Sequence, residues 1–267
     1  MGIWKALLLG TIQGFTEFLP ISSSGHLVLG EYLLGITEGA LTFTIIVHLG
    51  SLVAVFVAMW YRIGPVISGT LRGLRLMLSG GCPWSDGDFR WGVYVIVGTV
   101  PAVIIGLLLR EPLEGLMTNT TVASSMLIVT GMILMSTHFV RDGQRDMGIF
   151  TSLIVGLAQA FAILPGISRS GSTITVAMWS GVERLRAAEY SFLLSIPVIV
   201  GPALLEIGDI VSDPGSAPIA ALVAGFLAAA VSGYFAIRLL LGFVRRGRLS
   251  WFAYYCWAIG ITGLILC

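Results

Sequence analysis

Three features of the sequence predict an all-α polytopic membrane protein built as an inverted-topology repeat, each half a re-entrant helix pair plus three transmembrane helices. The first is composition: of 267 residues, 56% are hydrophobic and only 11% charged, against about 25% charged in a soluble domain, and mean hydropathy is +0.95. The second is an internal duplication. Gly10 to His26 reads GTIQGFTEFLPISSSGH, and Gly156 to Thr173 reads GLAQAFAILPGISRSGST. Gly10, Gln13 and Phe15 fall on Gly156, Gln159 and Phe161; Leu19-Pro20 falls on Leu164-Pro165 one step out of phase. The inserted Gly166 restores the phase, so Ile21-Ser22 falls on Ile167-Ser168 and Gly25 on Gly171. The third feature is the placement of charge, which follows from the elements.

Residues 4–18 form an apolar helix that reaches about 22 Å at 1.5 Å per residue, short of the roughly 30 Å hydrocarbon core. Pro20 stops it, and Ser22 to Ser24 offer N-caps for a second short helix over 24–36. Ser24, and Ser172 in the second copy, are read as the caps. Two short helices around a polar loop make a re-entrant hairpin, because non-helical backbone at membrane depth must be covered by protein or water. Full-length apolar segments follow at 41–61, 91–109 and 121–140. The second short pair covers 150–164 and 170–181, and three more full segments cover 187–207, 218–240 and 250–267. The chain is thus a single membrane domain over 1–267, with repeat 1 at about 1–140 and repeat 2 at about 150–267. The N-terminal run holds Lys5 and is broken by Gln13, Glu17 and Pro20, so it reads as part of the mature protein and not as a cleaved signal.

Residues 62–90, 141–148, 182–189 and 238–249 carry twelve of the fifteen Lys and Arg. Placed on the cytoplasmic side they leave Lys5, Arg110 and most acids (Glu31, Glu38, Glu111, Glu114, Glu206, Asp209, Asp213) opposite, a strong positive-inside bias. The bias holds only if each short pair enters and leaves on one side, which gives the halves opposite orientation and puts both termini outside the cytoplasm. In such folds the broken helices form the binding site near the midplane. Two charges then belong to no surface, Glu17 and Arg169, one in each copy of the motif. An ionised group at membrane depth costs roughly 2.5–3.5 kcal/mol on insertion scales and marks function by default.

Gln13 and Glu17 are four apart and share a helix face. Ser22, Ser23, Ser24 and His26 follow at once, and the other loop brings Ser168, Arg169, Ser170, Ser172 and Thr173. Helix N-termini beginning after both loops favour an anion, and a guanidinium fork with hydroxyls suits phosphate. A histidine serves acid–base chemistry near neutral pH, and a serine beside it can be a nucleophile. The constellation fits phosphoryl chemistry on a ligand reaching it from the bilayer. The plainer alternatives are that Glu17 and Arg169 are a structural ion pair and that the hydroxyls are helix caps. His48, in an apolar span with no acidic neighbour in sequence, reads as an interhelical hydrogen bond. Cys82, Cys256 and Cys267 have no metal-ligand spacing. A net charge of +1 gives no case for nucleic-acid binding.

The segment Gln13-x-x-x-Glu17 followed by Phe-Leu-Pro-Ile-Ser-Ser-Ser-Gly-His26 resembles the first signature of the bacterial undecaprenyl-diphosphate phosphatases, the bacitracin-resistance family. Pro165-Gly-Ile-Ser-Arg-Ser-Gly-Ser-Thr173 resembles the second, and Glu189-Tyr-Ser-Phe-Leu-Leu-Ser-Ile-Pro197 is similar as well. The resemblance covers essentially the whole chain. It implies hydrolysis of undecaprenyl diphosphate to undecaprenyl phosphate and inorganic phosphate, recycling the lipid carrier of cell-wall synthesis and conferring bacitracin resistance. It carries functional roles to Glu17, Ser23 and His26 and to Ser168, Arg169 and Thr173. Ser22, Ser24 and Ser170 join the phosphate-binding set, and Gln13 and Gln159 are supporting residues. It also implies a divalent cation, Mg²⁺ or Ca²⁺. Many relatives have Glu at the position of Gln13, so Glu17 is the one carboxylate ligand on offer, shared with the substrate's phosphates. The implied partners are undecaprenyl diphosphate and bilayer lipid, in the bacterial inner membrane, with the site open to the extracytoplasmic side. A homodimer is compatible with such a domain. Ser23 and water compete as nucleophile, and Glu17 either orients His26 or binds the ion. The rival class is a lipid-phosphate transporter or flippase of the same architecture.

Overall fold

The computed structural model describes residues 2–35, 40–205 and 218–266, all of them helical or irregular. The helices are α1 (Ile3–Phe18), α2 (Ser23–Leu34), α3 (Ala40–Leu78), α4 (Gly87–Leu108), α5 (Arg110–Leu116), α6 (Thr120–Ser136), α7 (Ile149–Phe161), α8 (Arg169–Trp179), α9 (Arg184–Leu205), α10 (Ile219–Arg245) and α11 (Trp251–Leu266). Five are long and apolar enough to cross a membrane: α3, α4, α6 with the 3₁₀ turn after it, α9 and α10. The chain is a multi-pass membrane protein. Glu38, Glu206, Asp209 and Asp213, assigned above to the extracytoplasmic side, lie outside the described residues.

Two elements differ from expectation. Helix α3 has 39 residues, about 58 Å at 1.5 Å per residue, and continues through Pro65 to Leu78 where a cytoplasmic loop was expected. Its extension is held by close packing: Gly69 and Gly73 lie against Asp88 and Phe89 at the start of α4. That contact offsets the hydrogen bond a proline removes from a helix. Conversely α11 has 16 residues, about 24 Å, shorter than the full span expected over 250–267.

The short pairs form as their residues dictate, with α1 ending before Leu19-Pro20 and α7 before the turn at Leu164-Pro165. The caps are not Ser24 and Ser172. Ser22 Oγ accepts from Gly25 N, and Ser168 Oγ accepts from Gly171 N. A capping oxygen satisfies an N–H two or three residues into the helix. Ser22 and Ser168 stand in that relation to α2 and α8, whereas Ser24 and Ser172 already lie inside the first turn. The inserted Gly166 has φ +93, and a Cβ there would fall on the Ala123 carbonyl of α6. Only glycine therefore allows this loop to press against α6.

Packing beneath the loops is dense. Phe18, Tyr190 and Phe192 are fully buried; Phe18 meets Phe192 edge to face at 6.0 Å. Tyr190 donates to the Tyr94 carbonyl at 2.6 Å. Helix α1 packs on α10 so closely that a Cβ on Gly10 would fall on the Gly225 carbonyl; α7 packs on α4 so that one on Gly156 would fall on the Gly98 carbonyl. Gly10→Val and Gly156→Val are each expected to destabilise the fold by about 1–3 kcal/mol through overpacking. Gly242→Ala, in open space, is the control. Thermal unfolding in detergent measures both.

One surface assignment changes. Glu189, placed at the cytoplasmic surface by sequence, is buried. It pairs with Arg62 Nε at 3.3 Å and accepts from Tyr61 Oη at 3.1 Å. The Arg62 guanidinium also lies 4.2 Å over the Trp91 ring. Glu17 and Arg169 are therefore not the only charges withdrawn from the surface.

Candidate active site

The two Ser-rich loops meet each other. Gly25 of the first lies against Gly166 of the second, and Ser170 Oγ donates to the Leu19 carbonyl at 3.3 Å. Thr130 Oγ1 of α6 donates to the Gly166 carbonyl at 2.7 Å and accepts from Ser168 N at 2.9 Å, tying the second loop to a long helix.

Where the loops cross, Arg169 Nη2 donates to Glu17 Oε1 at 2.6 Å, with both side chains about nine-tenths covered. Arg169 Nη1 donates to the Ser191 carbonyl of α9 at 3.2 Å. The other oxygen, Glu17 Oε2, accepts from Ser23 Oγ at 2.7 Å and from Gln13 Nε2 at 3.0 Å. Thr173 Oγ1 shares a hydrogen bond with Ser191 Oγ at 2.7 Å. Glu17, Gln13, Ser23, Arg169 and Thr173 thus belong to one buried network through direct contacts and Ser191. Ser22 and Ser24 pair at 3.2 Å, and Ser168 and Ser170 at 3.3 Å, as hydroxyl pairs at the first turns of α2 and α8. Ser22 also holds φ +67, the one described non-glycine residue at positive φ. Strain of that kind clusters at functional sites.

Two residues stand elsewhere. Gln159 Nε2 donates to the Gly98 carbonyl of α4 at 3.4 Å, away from the network. His26 touches neither Glu17 nor Ser23: its Nδ1 is 2.7 Å from the Ser22 carbonyl and its Nε2 is 3.0 Å from Tyr255 Oη. The imidazole beside Glu17 belongs to His48, with Nε2 3.6 Å from Glu17 Oε2 and Nδ1 2.7 Å from the Thr44 carbonyl of its own helix. His48 therefore has an acidic neighbour, and its hydrogen bond is within α3 rather than between helices. Sequence reasoning also missed Ser191 and Tyr255. The signal for His48 was present, since a polar ring inside an apolar span is a functional pointer. Ser191 lies within the third similar segment; Tyr255 had none, because a tyrosine near a span end reads as interfacial.

The donor set does not suit a resident cation. Both Glu17 oxygens are engaged, one by a guanidinium, and no group of three or more His, Cys, Asp or Glu occurs among the described residues. Mg²⁺ and Ca²⁺ take six or more oxygens, more than a single engaged carboxylate supplies, so the described residues do not by themselves complete a resident site.

The family model described as "Bacitracin resistance protein BacA" matches residues 6–262. Proteins named undecaprenyl-diphosphatase are similar along their whole length. The one from Salinibacter ruber is 41% identical, with 98% of each chain covered. The one from Methanosphaera stadtmanae is 41% identical over 100% of this chain and 98% of its own. The one from Korarchaeum cryptofilum is 41% identical over 100% of both. A match over residues 6–262, with relatives 41% identical along the whole chain, makes this chain a member of the bacitracin resistance protein BacA family.

Proposed function

We infer that this chain is an undecaprenyl-diphosphatase, removing the terminal phosphate of undecaprenyl diphosphate to give undecaprenyl phosphate and orthophosphate. The observation that carries the reading is the Arg169–Glu17–Ser23 network, a guanidinium, a carboxylate and a hydroxyl held within hydrogen-bonding distance inside an apolar chain. Relatives of the same length that carry the name undecaprenyl-diphosphatase support it.

In this mechanism the diphosphate enters between the loops with its isoprenoid tail in lipid. Arg169 turns from Glu17 toward the phosphates and takes up charge developing on the transferring group. The hydroxyls of Ser22, Ser24, Ser168, Ser170 and Thr173 and the starts of α2 and α8 complete the cradle. Glu17 accepts the Ser23 proton along the hydrogen bond already present, Ser23 Oγ attacks the terminal phosphorus, and the bond to the undecaprenyl phosphate oxygen breaks. Water then hydrolyses the phosphoserine. His26 is the second proton-transfer group. A requirement for Mg²⁺ or Ca²⁺ is assigned to the substrate, whose phosphates carry the oxygens the protein does not supply. Rapid-quench mass spectrometry is expected to trap phosphate on Ser23, and Ser23→Ala is expected to lower turnover by about a hundredfold or more. An unmodified Ser23 in a turning-over enzyme would assign the attack to water.

The same reading includes an inverted repeat with its site open to the extracytoplasmic side of the inner membrane and both termini on that side. Supporting it, the halves exchange packing partners: α1 of the first lies on α10 of the second through Gly10 and Gly225, and α7 of the second lies on α4 of the first through Gly156 and Gly98. Gly10 and Gly156 are equivalent positions of the duplication. That architecture favours a transporter as the second reading. Phosphate release by purified protein, measured beside flipping of undecaprenyl phosphate in vesicles, separates the two: release without flipping supports the hydrolase, flipping without release the transporter.

A further inference from the structure

Tyr255 lies 229 residues from His26 in sequence and directly against it in space. The two rings are parallel, 5° apart with centroids at 5.6 Å, and Tyr255 Oη is 3.0 Å from His26 Nε2. On the other side of the imidazole, Nδ1 is 2.7 Å from the Ser22 carbonyl. A carbonyl only accepts, so Nδ1 must carry the proton. In the neutral ring Nε2 is then the acceptor, and the Tyr255 hydroxyl donates to it. The placement is rigid. The next residue, Cys256, is fully buried and directs its thiol at the Pro20 carbonyl at 3.8 Å, in the break between α1 and α2. Helix α11 is itself fixed on α6: Trp257 Nε1 donates to the Ile128 carbonyl at 3.2 Å, and Gly260 and Gly263 lie against Ser124. Tyr255 thus reaches the first loop from a helix that the loop cannot move.

We propose that Tyr255 is a positioning residue for His26: the Ser22 carbonyl sets the Nδ1–H tautomer, and the Tyr255 hydroxyl and ring hold the imidazole in place until Nε2 exchanges the tyrosine hydrogen bond for the proton it accepts. The proposal rests on the phosphatase reading given above for His26. Its physical content is that a histidine acts as a base only through an unprotonated nitrogen, and a ring free to rotate presents that nitrogen in the right place only part of the time. The Ser22 carbonyl fixes one nitrogen, and Tyr255 fixes the plane of the ring and the direction of the other.

Tyr255→Phe retains the ring and removes the hydroxyl. In undecaprenyl diphosphate hydrolysis it is expected to lower kcat by about tenfold with KM within about twofold of wild type, the loss of one hydrogen bond to a catalytic group. In the His26→Ala background the same change is expected to have no further effect, because Tyr255 acts through the imidazole. Nitrogen-15 NMR of histidine-labelled protein in detergent, without substrate, is expected to show His26 as the Nδ1–H tautomer in both proteins, with the Nε2 resonance moved downfield in Tyr255→Phe by loss of the donated hydrogen bond, and an unchanged resonance would overturn the proposal. A wild-type kcat in Tyr255→Phe, a loss confined to KM, or full additivity with His26→Ala would overturn the proposal. So would a wild-type spectrum with the proton on Nε2, which decides the matter even if Tyr255→Phe does not fold. The spectrum needs no turnover, so a wild-type protein that releases no phosphate would refute the phosphatase reading and leave the tautomer result to stand on its own.

Discussion

Arg169→Ala is expected to abolish phosphate release, lowering turnover by about a thousandfold or more, the scale lost when an arginine that stabilises a phosphoryl-transfer transition state is removed. The side chain is the one cation that the described residues bring to the crossing of both loops by direct contact with Glu17 and α9. Arg169→Lys is not expected to restore activity. A lysine ammonium is a point charge, and the fork that spans Glu17 Oε1 and the Ser191 carbonyl is planar. Steady-state phosphate release from undecaprenyl diphosphate, with thermal unfolding on the same samples, gives both numbers.

The second large effect is on stability. Glu17→Gln removes the charge that neutralises Arg169, whose remaining partner is the Ser191 carbonyl. Removing one member of a buried pair leaves an uncompensated charge, at a cost of about 3–5 kcal/mol. Replacing both members with apolar or neutral side chains of similar volume is often neutral. The double variant Glu17→Gln with Arg169→Met is therefore expected to unfold close to the wild-type temperature and to remain inactive. That combination separates the two roles of the pair: stability depends on the charges being matched, and activity depends on their being present. If the double variant were as unstable as Glu17→Gln alone, shape and hydrogen bonding rather than charge would hold the loops together.

The sequence made the chemistry legible where function violates the local rule. Glu17 and Arg169 stood out because no surface segment of the sequence accounts for them, and the structure joins them at 2.6 Å. The helix breaks at Pro20 and Pro165 and the hydroxyl-rich loops were legible for the same reason. What was not legible depends on tertiary proximity. Neither Tyr255 nor His48 has a local motif, and each meets its partner across helices that no periodicity relates. Sequence proximity paired Glu17 with His26 because they share a loop. The helix geometry instead turns His26 toward α11 and brings His48 of α3 to the carboxylate. The cap assignment failed by two residues in the first loop and four in the second, about one helical turn at most. The length of α3 was hidden because Arg62 read as the start of a cytoplasmic segment. Only the fit of Gly69 and Gly73 against α4 shows why the helix continues.

In the proposed mechanism the site at the two loops directs attack to the terminal phosphorus of a lipid diphosphate. Hydrolysis by the purified wild-type protein in ¹⁸O-labelled water, with both products read by mass spectrometry, tests it most directly. Orthophosphate and undecaprenyl phosphate are expected in equal amounts, with the label in orthophosphate alone, whether water attacks directly or through a phosphoserine. Label in undecaprenyl phosphate, or no release from folded protein with or without Mg²⁺, would contradict it.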